Sequence, residues 1–531
     1  MKDKTKKALQ IDDILSLIQP FSELGKKAKK MFRVFKNGDE QRCKDYYGKM
    51  SSILNSINKQ PELITITSSI LTHFEDISNI ICSGGNRIYE LHEFCDIKHF
   101  LYFYRDFSKQ IKNFEQGIIR EWFFNEAWDL LDIDGQNNPS FFISPNYTVK
   151  YKDYKERLQD LQHDLKNILN RHYEGIGKEL KISNIEGKIT ISRTNQGTIK
   201  HLLDTTYFTI ENENFANITL KIKKPEKVYN IEQEIQELTN KLEVEAKTIR
   251  QNLTEKIFYR KDEILSALEE IGSFDLLLSK AIFARNHNCS IPNILSAKDN
   301  IIFKSIKSFS LPLYAEIQKA HHDYQKIDIE IKQKVSLITG SNMGGKTSLL
   351  KTIGQIAYMV MFGLPVPAIS VSIKLFDNIF FSGPITQEDR ADLSSFGYEI
   401  YYLQNVINTS GYNLFLVDEF ARGTNPIEGE ILFNNSINYF TKNTETIIIS
   451  ATHYNYTRHS HLISHFQIVG LQEEKIKTHI SKKDLSIEEK LKFIKENMNY
   501  QAVEVNEKQE IPKSALLIAE LMGLESDILK P

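Results

Sequence analysis

A glycine-rich loop that ends in a lysine and a threonine is the segment best suited to hold phosphate groups. It comprises Gly340-Ser341-Asn342-Met343-Gly344-Gly345-Lys346-Thr347 and matches the pattern Gly-x4-Gly-Lys-Ser/Thr without a gap. In such loops the backbone N–H groups and the N-terminus of the following helix point at negative charge. We therefore predict that this loop and Ser348 bind ATP, with the Lys346 ammonium at the β- and γ-phosphates and the Thr347 hydroxyl at Mg²⁺.

Two carboxylates end a second segment, Leu414-Phe415-Leu416-Val417-Asp418-Glu419. Adjacent residues of a strand point to opposite faces, so the two acids can have different roles. We predict that Asp418 belongs to the Mg²⁺ site and that Glu419 orients or deprotonates the attacking water. The alternative is a strand end that carries two solvated acids.

A histidine ends a third segment, Ala451-Thr452-His453, directly after the apolar run Thr446 to Ser450. A histidine at the end of a strand is often structural or exposed. Because this one follows the acidic segment, we predict that it reaches the γ-phosphate or the attacking water.

Short apolar runs alternate with helical stretches around these segments. The runs Val335 to Ile338, Asn413 to Val417 and Thr446 to Ser450 have the composition of buried parallel strands. Alternation of strands and helices is typical of an α/β domain, which we predict over residues 301–505. A helical period in the final segment, residues 506–531, predicts a dimerisation helix or a docked terminal helix.

The residues before this domain have mostly helical periods. Residues 1–135 are predicted to be an all-α domain, in which the cluster of Trp122, Phe123, Phe124 and Trp128 is core. In residues 136–300, apolar residues three and four apart over 151–168 and 228–271 predict two antiparallel coiled-coil arms. The stretches 185–191 and 217–222 alternate like strands and predict a small β insert between the arms. The alternative is an ordinary helical core domain.

Composition and charge limit the kinds of partner and site that the chain can have. The net charge of −2 gives no support for a surface that grips nucleic acid throughout, although a local basic patch is compatible with it. The four cysteines form no Cys-x-x-Cys pair, so no zinc site or redox dithiol is indicated. No window has the roughly 18 apolar residues that a membrane span needs, so we predict a cytoplasmic protein without a membrane partner.

Four collinear motifs resemble those of the MutS family. Ile338 to Thr347 resembles the family's loop Thr-Gly-Pro-Asn-Met-Gly-Gly-Lys-Ser/Thr. Val366-Pro367-Ala368 stands at the family's usual place, and Asp418 to Thr424 is similar to Asp-Glu-Ile/Leu-Gly-Arg-Gly-Thr. Ala451 to Tyr454 matches Ala-Thr-His-Tyr/Phe.

The resemblance implies an ABC-type P-loop ATPase that works in a dimer, with itself or with a MutS-like paralogue, and a lever-like region in residues 136–300. In such ATPases the signature segment of one subunit completes the ATP site of the other. That segment corresponds to Asp392 to Phe396, with Ser394 as the signature serine and Glu399 behind it. Asp392 replaces the usual glycine.

Mismatch-recognising members carry a further front domain with a Phe-x-Glu reader of mispaired bases. No Gly-x-Phe-Tyr-Glu segment is present, and Phe124-Asn125-Glu126 fits the reader only by spacing. The chain therefore resembles a shortened MutS relative, which predicts an ATP-driven clamp on DNA of the repair or recombination type.

A second expectation concerns a protein client. Some shortened relatives reactivate the cobalamin-dependent lysine 5,6-aminomutase, and they share segments similar to Ile11 to Ile18, Leu91 to Phe94 and Ile511 to Lys513. DNA and an aminomutase both remain open at this point. A structural ATPase of the SMC type is disfavoured, because both arms precede the P-loop.

Overall fold

In the computed structural model the described residues are 2–114, 124–182, 187–296, 299–306, 325–341, 344–383, 395–421, 424–443, 445–454, 462–471, 486–505, 518–520, 522, 524, 525 and 528. The chain has a mixed α/β fold with a largely helical N-terminal region. The predictions for Asn342, Met343 and Ser394, for Trp122 and Phe123, and for most of the final helix lie outside the described residues.

Most of the α-helices in the described residues lie before residue 287. The helices are α1 (Lys2–Ala8), α2 (Ile11–Ser16), α3 (Glu23–Lys30), α4 (Glu40–Lys59), α5 (Glu62–Leu71), α6 (Ser78–Ser83), α7 (Leu91–Ile111), α8 (Asn125–Leu131), α9 (Val149–Leu180), α10 (Gln196–Leu203), α11 (Glu226–Tyr259), α12 (Lys261–Asn286), α13 (Lys346–Met361), α14 (Ser395–Ile407), α15 (Pro426–Asn443) and α16 (Ile487–Glu496).

Within the described ranges the strands form three sheets. They are β1 (Lys188–Ser192), β2 (Phe208–Glu213), β3 (Asn217–Ile222), β4 (Asn293–Ile294), β5 (Ile301–Ile306), β6 (Ile327–Ile331), β7 (Val335–Thr339), β8 (Ser370–Ile373), β9 (Asn378–Ser382), β10 (Asn413–Asp418), β11 (Ile447–Ala451), β12 (Ile463–Leu471) and β13 (Met498–Glu504).

The chain divides into two compact units, whose bounds differ from the four consecutive domains predicted above. Unit 1 comprises Met1–Glu75, Phe107–Arg120 and Glu269–Pro531, and unit 2 comprises Asp76–Asp106 and Glu121–Leu268. The residues predicted as one helical domain, 1–135, are therefore shared between both units. The reason lies in long-range contacts of the first helices with the P-loop sheet.

A six-stranded sheet in the order β13-β12-β7-β11-β10-β9 is the centre of unit 1. Strands β12, β7, β11, β10 and β9 pair in parallel, and β13 pairs antiparallel with β12 at the edge. The predicted strands at 335–338, 413–417 and 446–450 are confirmed as β7, β10 and β11. Since parallel neighbours end at the same edge, the ends of these strands come together.

The first residues of the chain pack onto this sheet. The Thr5 hydroxyl lies 3.0 Å from the Tyr402 hydroxyl, and the Gln355 amide donates to the Leu9 carbonyl at 3.1 Å. Phe35 N–H donates to the Met361 carbonyl at 2.7 Å, at the end of α13. The segment before residue 75 therefore supports the helix that follows the P-loop.

Two long antiparallel helices form the arms of unit 2. Thr148, just before α9, bonds Glu245 just past the middle of α11, and His172 late in α9 lies 3.0 Å from the Lys223 carbonyl just before α11. The predicted continuous run 228–271 is wrong in its extent, because the helix ends at Tyr259 and α12 begins at Lys261. The arm geometry otherwise agrees with the predicted antiparallel pair.

An antiparallel sheet in the order β1-β3-β2 lies between the arms in sequence. Its core contains Leu220, Ile222 and Phe208, with Leu202 of α10 and Ile176 of α9. The predicted strand 217–222 is confirmed as β3, whereas β2 and α10 were missed. Strand β2 exposes every residue after Phe208, and so its sequence lacks the alternation that identifies a half-buried strand.

Among the helices of the described residues, none combines the length and the apolar character that crossing a membrane requires.

Candidate functional site

The P-loop, Gly340 to Thr347, connects β7 to α13 at the carboxyl edge of the parallel sheet. Gly345 has a φ of +87°, and a Cβ atom there would lie 2.9 Å from Cδ1 of Tyr500. Both the left-handed backbone and the nearby ring therefore require glycine. The N–H of Gly344 donates to the Ser341 carbonyl at 3.1 Å, which closes the loop on itself.

Lys346 is the first residue of α13 and is buried. Its Nζ atom donates to the Gly340 carbonyl at 2.8 Å and lies 3.0 Å from Nε2 of His453. The ammonium therefore lies against the backbone carbonyls of Gly340 and Ser341. The predicted neighbours Ser341 and Ser348 differ in exposure, since Ser341 is buried and Ser348 is exposed on the first turn of α13.

Thr347 and Asp418 meet across the ends of α13 and β10. The Thr347 hydroxyl donates to Oδ2 of Asp418 at 2.7 Å. Burial raises the pKa of the Asp418 carboxyl above its ordinary value, and the hydrogen bond from Thr347 opposes that rise. The other oxygen of this carboxylate, Oδ1, is buried and has no hydrogen-bond partner within the described ranges.

Glu419 and His453 meet at the ends of β10 and β11. The Glu419 N–H donates to the Ala451 carbonyl at 3.0 Å, which fixes the residue beside the next strand. His453 Nε2 lies 2.8 Å from Glu419 Oε1. The structure therefore brings the two predicted catalytic residues into hydrogen-bond distance.

One nitrogen atom of His453 stands between a cation and an anion. With a proton on Nε2 the ring donates to Glu419, and without it the same atom accepts from Lys346. The tautomer of His453 thus decides which of the two side chains it bonds. This arrangement links the P-loop lysine to the carboxylate predicted to orient water.

The residues present fit a magnesium ion. Mg²⁺ is commonly bound by one or two protein oxygens together with substrate phosphates and water. The Thr347 hydroxyl and the unpartnered Oδ1 of Asp418 are such oxygens. Among the residues that the structure describes, no group of three or more His, Cys, Asp or Glu side chains is arranged to hold a metal by protein ligands alone.

Three residues at this edge were given no role by the sequence motifs. The Tyr500 ring, from β13, packs against Gly345. The Tyr454 hydroxyl donates to the Ala421 carbonyl at 3.1 Å, and the Glu399 carboxylate accepts from the Ala421 N–H at 2.7 Å. Tyr454 and Glu399 stand inside or beside recognised motifs, whereas nothing in the sequence around Tyr500 signals its position.

The sequence model of the family described as MutS domain V matches residues 336–524. These residues are similar in sequence to MutS domain V. The matched range contains the P-loop lysine, both strand-end acids and His453. The resemblance to the MutS family that was predicted from the motifs is thereby confirmed.

Curated relatives extend the similarity beyond the MutS domain V. An Endonuclease MutS2 of Caldanaerobacter subterraneus is 26% identical over 479 residues, which cover 86% of this chain and 56% of the relative. An Endonuclease MutS2 of Fusobacterium nucleatum is 27% identical over 346 residues, or 64% of this chain and 42% of the relative.

A DNA mismatch repair protein MutS of Prochlorococcus marinus is 25% identical over 397 residues, or 70% of this chain and 41% of the relative. The chain thus spans about half the length of these curated relatives. The range 336–524 is the part of the chain in which the match to the family model and the site geometry coincide.

Proposed function

We propose that this chain is an ATP hydrolase of the P-loop, ABC type that acts on DNA as part of a dimer. One observation carries the ATPase proposal. Lys346, the Thr347–Asp418 pair and the Glu419–His453 pair meet at the carboxyl edge of one parallel sheet, where α/β proteins bind ligands. Lysine, hydroxyl and carboxylates are the groups that phosphoryl transfer to water needs.

In this proposal the P-loop holds the triphosphate. Backbone N–H groups of the loop and the start of α13 face the phosphate oxygens, and the buried Lys346 ammonium neutralises the β- and γ-phosphates. Thr347 and Asp418 would hold Mg²⁺, which supplies positive charge against the charge that develops on the transferred group. The Tyr500 ring beside Gly345 covers the loop from the side of β13.

In this proposal Glu419 and His453 activate the attacking water. The Glu419 carboxylate orients or deprotonates the attacking water. His453, bonded to that carboxylate, fixes its direction and lies close enough to Lys346 to sense the charge on the γ-phosphate. Ser394 of a second subunit, either a copy of this chain or a MutS-like paralogue, completes the site in the dimer.

DNA is the client that the comparisons favour. The printed names of the relatives refer to an endonuclease and to DNA mismatch repair, and none of these three names refers to an aminomutase. ATP binding closes the two nucleotide domains and hydrolysis reopens them, and the antiparallel arms of residues 136–300 follow this cycle. The free energy available to the arms is limited by the difference in ATP affinity between the two states.

The test is the steady-state ATPase rate of the purified protein with homoduplex DNA, with mismatched DNA and without DNA, at moderate salt. We expect hydrolysis that DNA stimulates and that the Lys346→Ala variant lacks. An ATPase rate that is the same with and without DNA would contradict the proposed action on DNA but would not contradict the proposed ATPase activity. A wild-type rate equal to that of Lys346→Ala would contradict the ATPase part.

A further inference from the structure

The turn after the predicted catalytic acid has an unusual backbone. Glu419 has a φ of 58° and Ala421 a φ of 61°, although neither is glycine. Left-handed conformations are unfavourable for residues with a Cβ atom, and they persist when the surroundings impose them. The Glu419–Ala421 turn is therefore held in place by its contacts.

Among the described contacts, three hydrogen bonds support this conformation. The Glu419 N–H donates to the Ala451 carbonyl at 3.0 Å, and the Tyr454 hydroxyl donates to the Ala421 carbonyl at 3.1 Å. The Ala421 N–H donates to Oε2 of Glu399 at 2.7 Å. Two of these bonds come from the β11 side of the turn, and Glu399 supplies the bond from the opposite side, on α14.

The carboxylate of Glu399 gives the shortest of the three bonds. Hydrogen bonds to an ionised acceptor are shorter and stronger than those between neutral groups. Phe420, between the two left-handed residues, is buried in the core that also contains Tyr402 of α14. Glu399 thus ties α14, the helix that the predicted signature segment leads into, to the residue two positions after Glu419.

We propose that Glu399 is a positioning residue for ATP hydrolysis, because it holds the Glu419–Ala421 turn in the conformation that directs Glu419 at His453. This inference rests on the proposed ATPase function. Glu399 bonds the Ala421 N–H, on the turn that follows Glu419, and lies on α14. Its effect is expected on the hydrolysis step and not on ATP affinity, since Lys346 and Thr347 lie on another element.

The experiment compares three variants of the full chain with the wild type. Glu399→Ala removes the hydrogen-bond acceptor, and Glu399→Gln keeps a carbonyl oxygen as acceptor on a side chain of the same length. Gln404→Ala, at an exposed position of the same helix, is the matched control. Thermal unfolding is recorded for each variant, together with ATP affinity, KM and kcat.

We expect Glu399→Ala to lower kcat about tenfold to a hundredfold, the range that a small misplacement of a catalytic group produces, with KM and ATP affinity within about twofold. Glu399→Gln should recover most of kcat, and Gln404→Ala should match the wild type. A wild-type kcat in Glu399→Ala overturns the positioning role. An equal loss of ATP affinity and kcat in Glu399→Ala overturns it as well.

Tyr454→Phe keeps the proposal testable if Glu399→Ala does not fold. This variant removes the hydroxyl that donates to the Ala421 carbonyl on the other side of the turn. It should lower kcat with an unchanged KM, and a wild-type kcat would overturn the proposal. A wild type without any ATPase activity is a different result, because it overturns the proposed function and the positioning role together.

Discussion

His453 Nε2 lies 2.8 Å from Oε1 of Glu419, so that a ring at the end of β11 bonds a carboxylate at the end of β10. The two strands are parallel neighbours, with Asp418 opposite Ala451 in the register. Residues that follow these two positions are therefore brought together by the sheet itself. This contact is the basis for the first prediction.

Replacing Glu419 by glutamine should separate ATP binding from hydrolysis. Glutamine keeps the size of the side chain and loses the basic carboxylate, and general bases contribute about a hundredfold or more to rate. We expect Glu419→Gln to bind ATP with wild-type affinity and to hydrolyse it at least about a hundredfold more slowly in single-turnover assays. The exposed acid Glu428, changed to glutamine, is the control. Turnover of Glu419→Gln at the wild-type rate would show that another group activates the water.

Asp418 should control the requirement for magnesium. Its Oδ2 accepts from Thr347 and its Oδ1 is buried without a partner among the described atoms, so that an asparagine keeps the shape and removes the charge. We expect Asp418→Asn to raise the Mg²⁺ concentration for half-maximal ATPase activity by at least about tenfold. A chelator should abolish hydrolysis by the wild type. An unchanged Mg²⁺ midpoint in Asp418→Asn would remove this residue from the metal site.

The turn at the far end of α13 should be sensitive to a single methyl group. Gly363 has a φ of +62°, and a Cβ atom there would lie 2.8 Å from Cε1 of Tyr46 and 3.0 Å from Cε2 of Phe35. We expect Gly363→Ala to lower the free energy of unfolding by about 2–4 kcal/mol, from left-handed strain and overpacking together.

Gly38→Ala is the matched control for this change. Gly38 also has a positive φ, of +92°, but nothing lies within 4 Å of its added Cβ atom. Gly38→Ala should lower the free energy of unfolding only by the cost of the left-handed conformation, about 1–2 kcal/mol. Denaturant unfolding measures both variants, and equal losses would mean that the aromatic contacts of Gly363 do not contribute.

His465 should make the protein less stable in mild acid. Its Nε2 atom lies 2.8 Å from the hydroxyl of Thr339, the residue before the P-loop, and burial lowers the pKa of the ring below its ordinary value. A lowered folded-state pKa means that the unfolded chain binds the proton first. The stability that the neutral His465 ring contributes is therefore fully present above the ordinary histidine pKa of about 6.5. It is lost as pH falls through the folded-state pKa.

The measurement is the denaturant midpoint at pH 7 and at pH 5. We expect the midpoint to fall at pH 5, and to fall less in His465→Gln, which cannot take up the proton. An equal fall in both proteins would assign the acid sensitivity to other groups.

Local patterns predicted the parts of the site that lie next to each other in sequence. Strand β7, the P-loop and Lys346 follow one another in sequence, and the acids of β10 stand at the end of an apolar run. The composition and order of these segments were therefore enough to predict their place in the site. The contact of His453 with Glu419 also follows from parallel strands that end at one edge.

Contacts between distant segments could not be predicted from such patterns. Thr5 meets Tyr402 over a separation of 397 residues, and this packing places the N-terminal helices in unit 1. Tyr500 reaches Gly345 only because β13 joins the sheet beside β12. The break between α11 and α12 was hidden, because apolar residues continue at helical spacing on both sides of Arg260.

Whether Lys346 belongs to a working ATP site is tested by measuring ATP hydrolysis by the wild type and by Lys346→Ala, purified side by side. The Lys346 ammonium lies within the loop, bonded to the Gly340 carbonyl at 2.8 Å, and no other residue of the loop carries a positive charge. We expect phosphate release by the wild type in the presence of Mg²⁺, and neither ATP binding nor phosphate release by Lys346→Ala. Equal phosphate release by the two preparations would show that Lys346 does not belong to an ATP site.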